Sequence, residues 1–362
     1  MKHNGYKKYN QLKPTNVCRI RKMNKWAIKN CLKPGVWLFV LIMITAIWYY
    51  PVFAQRTHNM PSFAVRNSLH QNQDKGIKVF GGIYRPESCS YDARRGLIVV
   101  PSRGEPESAQ ANDGWVSLLN HDGSLHTIRW IGSQIPDQRK SLSPSLMLNE
   151  PLGSDIMNDI LYIADYISGT SKENASHAFI HEFDMNTGKL LKEILIKDAP
   201  WINDIAVTED RTIYATQTGD MGPNPNPETW AVWKITPDGQ TSIFVQGKPL
   251  NQPNGIAIDP DGNIVVVNTG NADVLTFSKN GKLLKTETAA QPGSDGIVIL
   301  PNGTKYVSSV LHGGISRIRP GKLAELIAQD IPETASMCYD SGANQLVVPM
   351  ASQSALVFIP IE

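Results

Sequence analysis

Four oxygen-bearing side chains hold the same place in a repeated phrase of this sequence, and they are the residues best able to do chemistry. Glu87 stands in Pro86-Glu87-Ser88, Asn203 in Trp201-Ile202-Asn203-Asp204, Asn254 in Pro253-Asn254-Gly255 and Asp295 in Ser294-Asp295-Gly296. Two carboxylates and two amide carbonyls, with no His or Cys among them, form a hard, oxygen-only donor set. Such a set suits Ca²⁺ better than softer ions, with Mg²⁺, Mn²⁺ or Zn²⁺ as alternatives. The two negative charges balance one divalent cation, and without it Glu87 and Asp295 repel each other across any space they share. Taken singly these residues mean little, because Asn-Gly is usually an ordinary turn and a lone acid is usually solvated. Their common phase is what points to a metal.

The elements that must position them follow from the same phrase. Pro253 to Gly262 is a short strand entered through an Asn-Gly step and left through a Pro-Asp-Gly turn, and the apolar run Ile264 to Val267 comes next. This is hairpin grammar with turn chemistry at each end. It recurs at Ile205 to Thr216 and at Ile297 to Ser308, and weaker copies lie at 88–100, 154–164 and 336–348. Six repeats of about four short strands, roughly 40 to 65 residues apart, spell an all-β, six-bladed β-propeller. The last repeat lacks a fourth strand, and the orphan strand Ile77 to Phe80 supplies it. Placed on the outside of blade six, that strand completes the ring and covers an open edge. Aligning the repeats on their turns puts Glu87, Leu152, Asn203, Asn254, Asp295 and Ala335 where the innermost strands begin, around one mouth of the central channel.

Composition narrows the function class. The chain of 362 residues is 41% hydrophobic and 19% charged, enough to bury a large core. Its net charge of +2 hides an asymmetry: residues 1–54 hold ten Lys and Arg and no acid, which leaves the remainder mildly acidic. A body without a basic stripe argues against nucleic acid as a partner. The leader reads as a basic region to Lys33, an apolar run from Val36 to Tyr50, and Val52-Phe53-Ala54 before Gln55. The run is shorter than the roughly 20 residues of a membrane span, so the segment reads as a cleaved secretory signal, with an uncleaved membrane anchor as the alternative. The expected layout is leader 1–54, polar linker 55–75 and propeller 76–362, in a periplasmic or secreted protein. Cys89 and Cys338 fall in equivalent strands of the first and last repeats. A disulfide between them would clasp the ring, and two buried thiols that never meet are the other reading.

The phrases quoted above resemble the senescence marker protein/gluconolactonase family, which includes regucalcin and is similar in fold and metal site to the paraoxonases and diisopropylfluorophosphatase. The resemblance runs from about Gly76 to the C-terminus and is strongest from Asn203 to Arg319. It implies a divalent cation at the channel mouth, held at Glu87, Asn203, Asn254 and Asp295, and hydrolysis of small lactones or esters. Asp295 would act as base on the attacking water. His312, in the blade-five loop where paraoxonases also carry a His, would shuttle a proton. No Arg of the kind that surrounds a sugar-lactone site can be placed from the sequence.

Other expectations concern the rim. Asp165, Gln217 and Asn268 end second strands there and would bind substrate hydroxyls or the cation's waters, or else hydrogen-bond to backbone. The long loops Ser102 to Gly114, Tyr166 to Ala178 and Gly219 to Trp230 would frame the pocket. The sequence carries no Gly-x-Ser-x-Gly elbow, phosphate loop or zinc spacing. Two non-enzymatic or metal-free readings stand beside the hydrolase: a propeller that keeps Ca²⁺ for rigidity and binds a partner, and a strictosidine synthase-like propeller without metal.

Overall fold

In a computed structural model of the chain, the described residues are 78–81, 83–105, 111–171 and 175–362. The expected leader and linker lie outside them. Among the described residues no helix is long and apolar enough to cross a membrane.

The chain enters through β1 (Lys78–Gly81). Blade one is β2 (Ser90–Asp92), β3 (Leu97–Ser102), β4 (Trp115–Leu119) and β5 (Leu125–Ile131), and a single helical turn, α1 (Pro136–Arg139), follows it. Blade two is β6 (Ser154–Met157), β7 (Ile160–Ile167), β8 (His177–Asp184) and β9 (Leu190–Ile196). Blade three is β10 (Ile205–Val207), β11 (Ile213–Gln217), β12 (Ala231–Ile235) and β13 (Thr241–Gln246). Blade four is β14 (Pro253–Ile258), β15 (Ile264–Asn268), β16 (Asp273–Phe277) and β17 (Leu283–Thr288). Blade five is β18 (Ser294–Ile299), β19 (Lys305–Ser309), β20 (Gly314–Ile318) and β21 (Glu325–Ala328). Blade six has β22 (Cys338–Asp340), β23 (Gln345–Met350) and β24 (Ala355–Pro360).

Every sheet is a four-stranded antiparallel meander, and β1 pairs with the outer side of β24, from Lys78 opposite Phe358 to Gly81 opposite Ala355. The ring is therefore closed by the N-terminal strand. Innermost strands touch their neighbours in the order β2, β6, β10, β14, β18, β22 and back to β2. The result is a six-bladed propeller.

Its core is distributed. Six apolar clusters fill the six joints between blades, one cluster per joint. The second strands explain how. Along β15, Ile264 and Val266 face the joint with blade three, while Val265 and Val267 face the joint with blade five. Along β3, Ile98 and Val100 face blade six and Val99 faces blade two. A strand buried on both faces needs apolar residues in an unbroken run, which is why these segments are nearly continuous Ile and Val. Outside the blades, buried Arg139 of α1 donates to the carbonyls of Asn112, Gly114, Gly132 and Gln134, fastening the stretch after blade one.

Candidate functional site

The side chains at the channel mouth are aimed there by bulges. Between β14 and β15, Pro253 pairs with Asn268 and Ile256 with Val266, three residues against two. Between β18 and β19, Ser294 pairs with Ser309 and Ile297 with Val307, the same offset. The extra residue breaks the in–out alternation and re-aims Asn254 and Asp295. This corrects the reading of Asn254-Gly255 as a turn that precedes the strand, since both residues lie inside β14. Neither Gly255 nor Gly296 has a positive φ. They are needed for space: a Cβ on Gly255 would lie 2.3 Å from the carbonyl oxygen of Asp295, and one on Gly296 would lie 2.6 Å from Cα of Ser336. Glycine thus lets each innermost strand lean on the backbone of the next blade.

Two threonines orient the amides. Thr218 accepts from Asn203 Nδ2 at 3.4 Å and donates to Pro253 O of the next blade at 2.8 Å. Thr269 accepts from Asn254 Nδ2 at 3.2 Å and donates to Ser294 O at 3.1 Å. Asn254 Nδ2 also reaches Asp295 Oδ2 at 3.2 Å. With the nitrogens so engaged, Asn254 Oδ1 is left buried without a hydrogen-bond donor, and so is Asp295 Oδ1. Unpaired buried oxygens are costly, and two of them side by side need an external partner. Burial, followed by the charges of Glu87 and Asp204, pushes the Asp295 carboxyl well above its ordinary range. A cation among these oxygens would reverse that. Among the described residues no group of three or more His, Cys, Asp or Glu is placed to hold a metal. The expected set contains only two such side chains, the other two donors being amides.

Glu87 is held by an ion-pair network that sequence reading missed. Arg103 Nη1 lies 3.3 Å from Glu87 Oε2, and Arg103 Nε also bonds Glu150, which Arg85 approaches at 3.7 Å. Burial lowers the Arg103 pKa, but the Glu87 and Glu150 charges outweigh it and raise the group above its ordinary value. The backbone of Glu87 is tied to blade six, its carbonyl accepting from Ser336 N at 3.1 Å. A signal for Arg103 did exist. By strand register Arg103, Thr218 and Thr269 all follow the last paired residue of a second strand, Ser102, Gln217 and Asn268. That rim row lies directly above the opening slot.

The other expected residues are distributed as follows. Asp165 is fully buried and accepts from the amides of Asn149, Glu150 and Tyr166 and from His181 Nε2 at 3.1 Å. Gln217 bridges Thr229 O and Trp233 Nε1, and Asn268 bridges Asn251 N and Asp273 O. All three hold the loops beside the mouth through backbone or neighbouring side chains, which is the bland alternative for strand-end polar residues. Leu152, also at the slot, packs into the joint between blades two and three, and Ala335 there is buried. His312 is exposed in the blade-five turn, its backbone N–H donating to Ser309 Oγ at 3.2 Å. Parts of the loops after Ser102 and Tyr166 lie outside the described residues, whereas the third is complete. It borders a cleft of about 790 Å³ with Trp201, Gln217, Asp220, Glu228 and Trp233 in its wall.

Further down the channel a cavity of about 300 Å³ is lined by Asp155 and Asp204. Asp204 accepts from Ile205 N, Ile256 N and Ser336 Oγ, yet burial lifts its pKa to about 7. Burial likewise lifts Asp155 to about 6, against the amides of Val207 and Ile156. Cys89 and Cys338 are buried side by side with free thiols.

Fold and site together define a lactonase-like propeller, six blades around a channel whose mouth gathers oxygen donors. Residues 174–352 match the family model described as the SMP-30/Gluconolactonase/LRE-like region, and this part of the chain belongs to that family. Among solved structures, a gluconolactonase from Xanthomonas campestris shares the fold at 16% identity, over 79% of this chain and 90% of that one, with a TM-score of 0.54. A virginiamycin B lyase from Staphylococcus aureus shares it at 13% identity, over 79% of this chain and all of that one (100%), with a TM-score of 0.52. No curated protein matches the chain. At these identities the likeness to solved structures carries the fold alone.

Proposed function

We propose that the chain is an exported hydrolase of small lactones or esters that works with one divalent cation, Ca²⁺ by preference, held by Glu87, Asn203, Asn254 and Asp295. The observation that carries this reading is the pair of buried oxygens without donors, Asn254 Oδ1 and Asp295 Oδ1, beside the Glu87 carboxylate. The donor set fits a hard cation, and Arg103 offsets only part of the local negative charge of Glu87, Glu150 and Asp295. When bound, the cation would supply Lewis acidity toward the substrate carbonyl.

The chain's own residues supply the rest. Asp295 takes a proton from the water that attacks the acyl carbon. As the new C–O bond forms, the ring or ester C–O bond breaks, and the departing oxygen receives a proton, with His312 on the rim as donor. Arg103 is a positioning residue: it holds Glu87 and Glu150.

The test uses purified protein with added Ca²⁺ and with chelator, on a panel of sugar lactones, aliphatic lactones and aryl esters. Turnover should appear with Ca²⁺, vanish with chelator, and fall at least 100-fold in Asp295→Asn. Turnover that survives chelator unchanged removes the cation from the reading. Calorimetric Ca²⁺ binding that is lost in Asp295→Asn, with no turnover on any ester, leaves a cation-stabilised binding protein instead.

A further inference from the structure

We propose that Cys89 and Cys338 are the site of a disulfide that locks blade one to blade six and closes the ring covalently. Their positions lie 249 residues apart in the chain, yet their Sγ atoms are 2.6 Å apart. Cys338 opens β22, and Cys89 directly precedes β2, the innermost strand of the next blade. Both are buried among Ile83, Ile98, Val347 and Phe358 in the joint between the two blades. The other five joints contain no cysteine among their buried core residues.

This joint is where a covalent link matters most. Blades one to five are each built from one continuous stretch of chain. Blade six is assembled from both ends, and its outer strand β1 is held by four residue pairs. A cross-link between distant positions acts mainly by restricting the unfolded chain, and the restriction grows with the length of the closed loop. The link would also sit at the root of the candidate site. Glu87 is two residues before Cys89, and its carbonyl accepts from Ser336, two residues before Cys338.

The reaction is a thiol–disulfide exchange. The oxidant is a disulfide, either a protein thiol oxidant of the exporting compartment or oxidised glutathione. A thiolate of the pair attacks it, and the second thiolate then displaces the mixed disulfide. One S–S bond forms between Cys89 and Cys338 as the S–S bond of the oxidant breaks, and the two protons and two electrons of the thiols leave with the oxidant as two thiols. The proposal does not depend on the identity of the substrate or the cation.

The experiment equilibrates the full-length native protein with oxidised glutathione, unfolds it, alkylates it without reductant, and maps peptides by mass spectrometry. The expected product is a peptide pair linked through Cys89 and Cys338 that separates on reduction, while Cys18 and Cys31 are not joined to either. Under oxidising conditions Cys338→Ser should melt roughly 5 to 10 °C below wild type, and reductant should remove most of that gap. Recovery of Cys89 and Cys338 as alkylated thiols after equilibration overturns the proposal. A melting gap that persists unchanged in reductant does so too, since it would assign the loss to packing.

Discussion

Replacing Gly255 with alanine tests the claim that backbone contact between blades builds the channel mouth. The added Cβ would lie 2.3 Å from Asp295 O, 2.9 Å from Gly296 Cα and 2.9 Å from Val267 Cγ2, where ordinary contact begins near 3.4 Å. The nearest two atoms are backbone of blade five, so about 1 Å must be opened by moving the Asp295–Gly296 peptide rather than a flexible side chain. Overpacking of this kind costs about 1 to 3 kcal/mol, and a rigid partner places Gly255→Ala at the upper end. For a domain of this size, about 3 kcal/mol lowers the melting temperature by roughly 6 to 12 °C. Gly222→Ala is the control, because only Asp220 Oδ1 lies within 4 Å of its Cβ, at 3.1 Å, and its φ is not positive. That variant should melt within about 2 °C of wild type. Because the displaced peptide carries Asp295, Gly255→Ala should also weaken Ca²⁺ binding at least tenfold at temperatures where it is folded. Scanning calorimetry and titration calorimetry read the two effects. A Gly255→Ala protein that melts with wild type means the blades are not in backbone contact there, and the account of the Gly255 and Gly296 positions fails with it.

Three further outcomes are expected. Asp155 has a folded pKa near 6 against an ordinary 3.8, so the folded state binds its proton more tightly. Its contribution is fully present below about pH 4 and is lost as pH rises through about 6. The loss is at most about 3 kcal/mol, and less for the access it keeps to the channel. The melting temperature of Asp155→Asn minus that of wild type should therefore rise between pH 4 and pH 7, and a flat difference refutes it. Asp165→Ala strands the amides of Asn149, Glu150 and Tyr166, which should cost about 2 to 4 kcal/mol. It should also lower kcat/KM more than tenfold by freeing Glu150 and Arg103, and unchanged kinetics would disconnect Asp165 from the mouth. Deleting residues 1–81 removes β1 and bares β24, and should lower the melting temperature by roughly 10 °C or more. Deleting residues 1–70 should leave it unchanged.

What could be read from the chain, and what could not, divides along the range of the interaction. Propeller strands were legible because their causes are local. The run Ile264 to Val267 must be apolar at every position to serve two joints, and the turns Pro237-Asp238-Gly239 and Asn280-Gly281 end strands where their glycines take positive φ. The missing strand of blade six could be counted for the same reason, and β1 fills it. Gly255 shows where local reading fails. Next to Asn it suggests a turn, while its real requirement is the backbone of blade five, dozens of residues away and invisible to turn chemistry. Arg103 fails differently. Its partners Glu87 and Glu150 come from separate loops, and nothing within a single repeat links them. The opening slot alone shows four donors and no reason for their orientation. Aligned on the ends of the second strands as well, the same repeats show a second row, Arg103, Thr218 and Thr269, that orients them: Arg103 holds the Glu87 carboxylate, and the threonines take the amide nitrogens of Asn203 and Asn254. The donor row and the row that turns its oxygens inward are one device repeated in blades one, three and four, and the second row was as readable as the first.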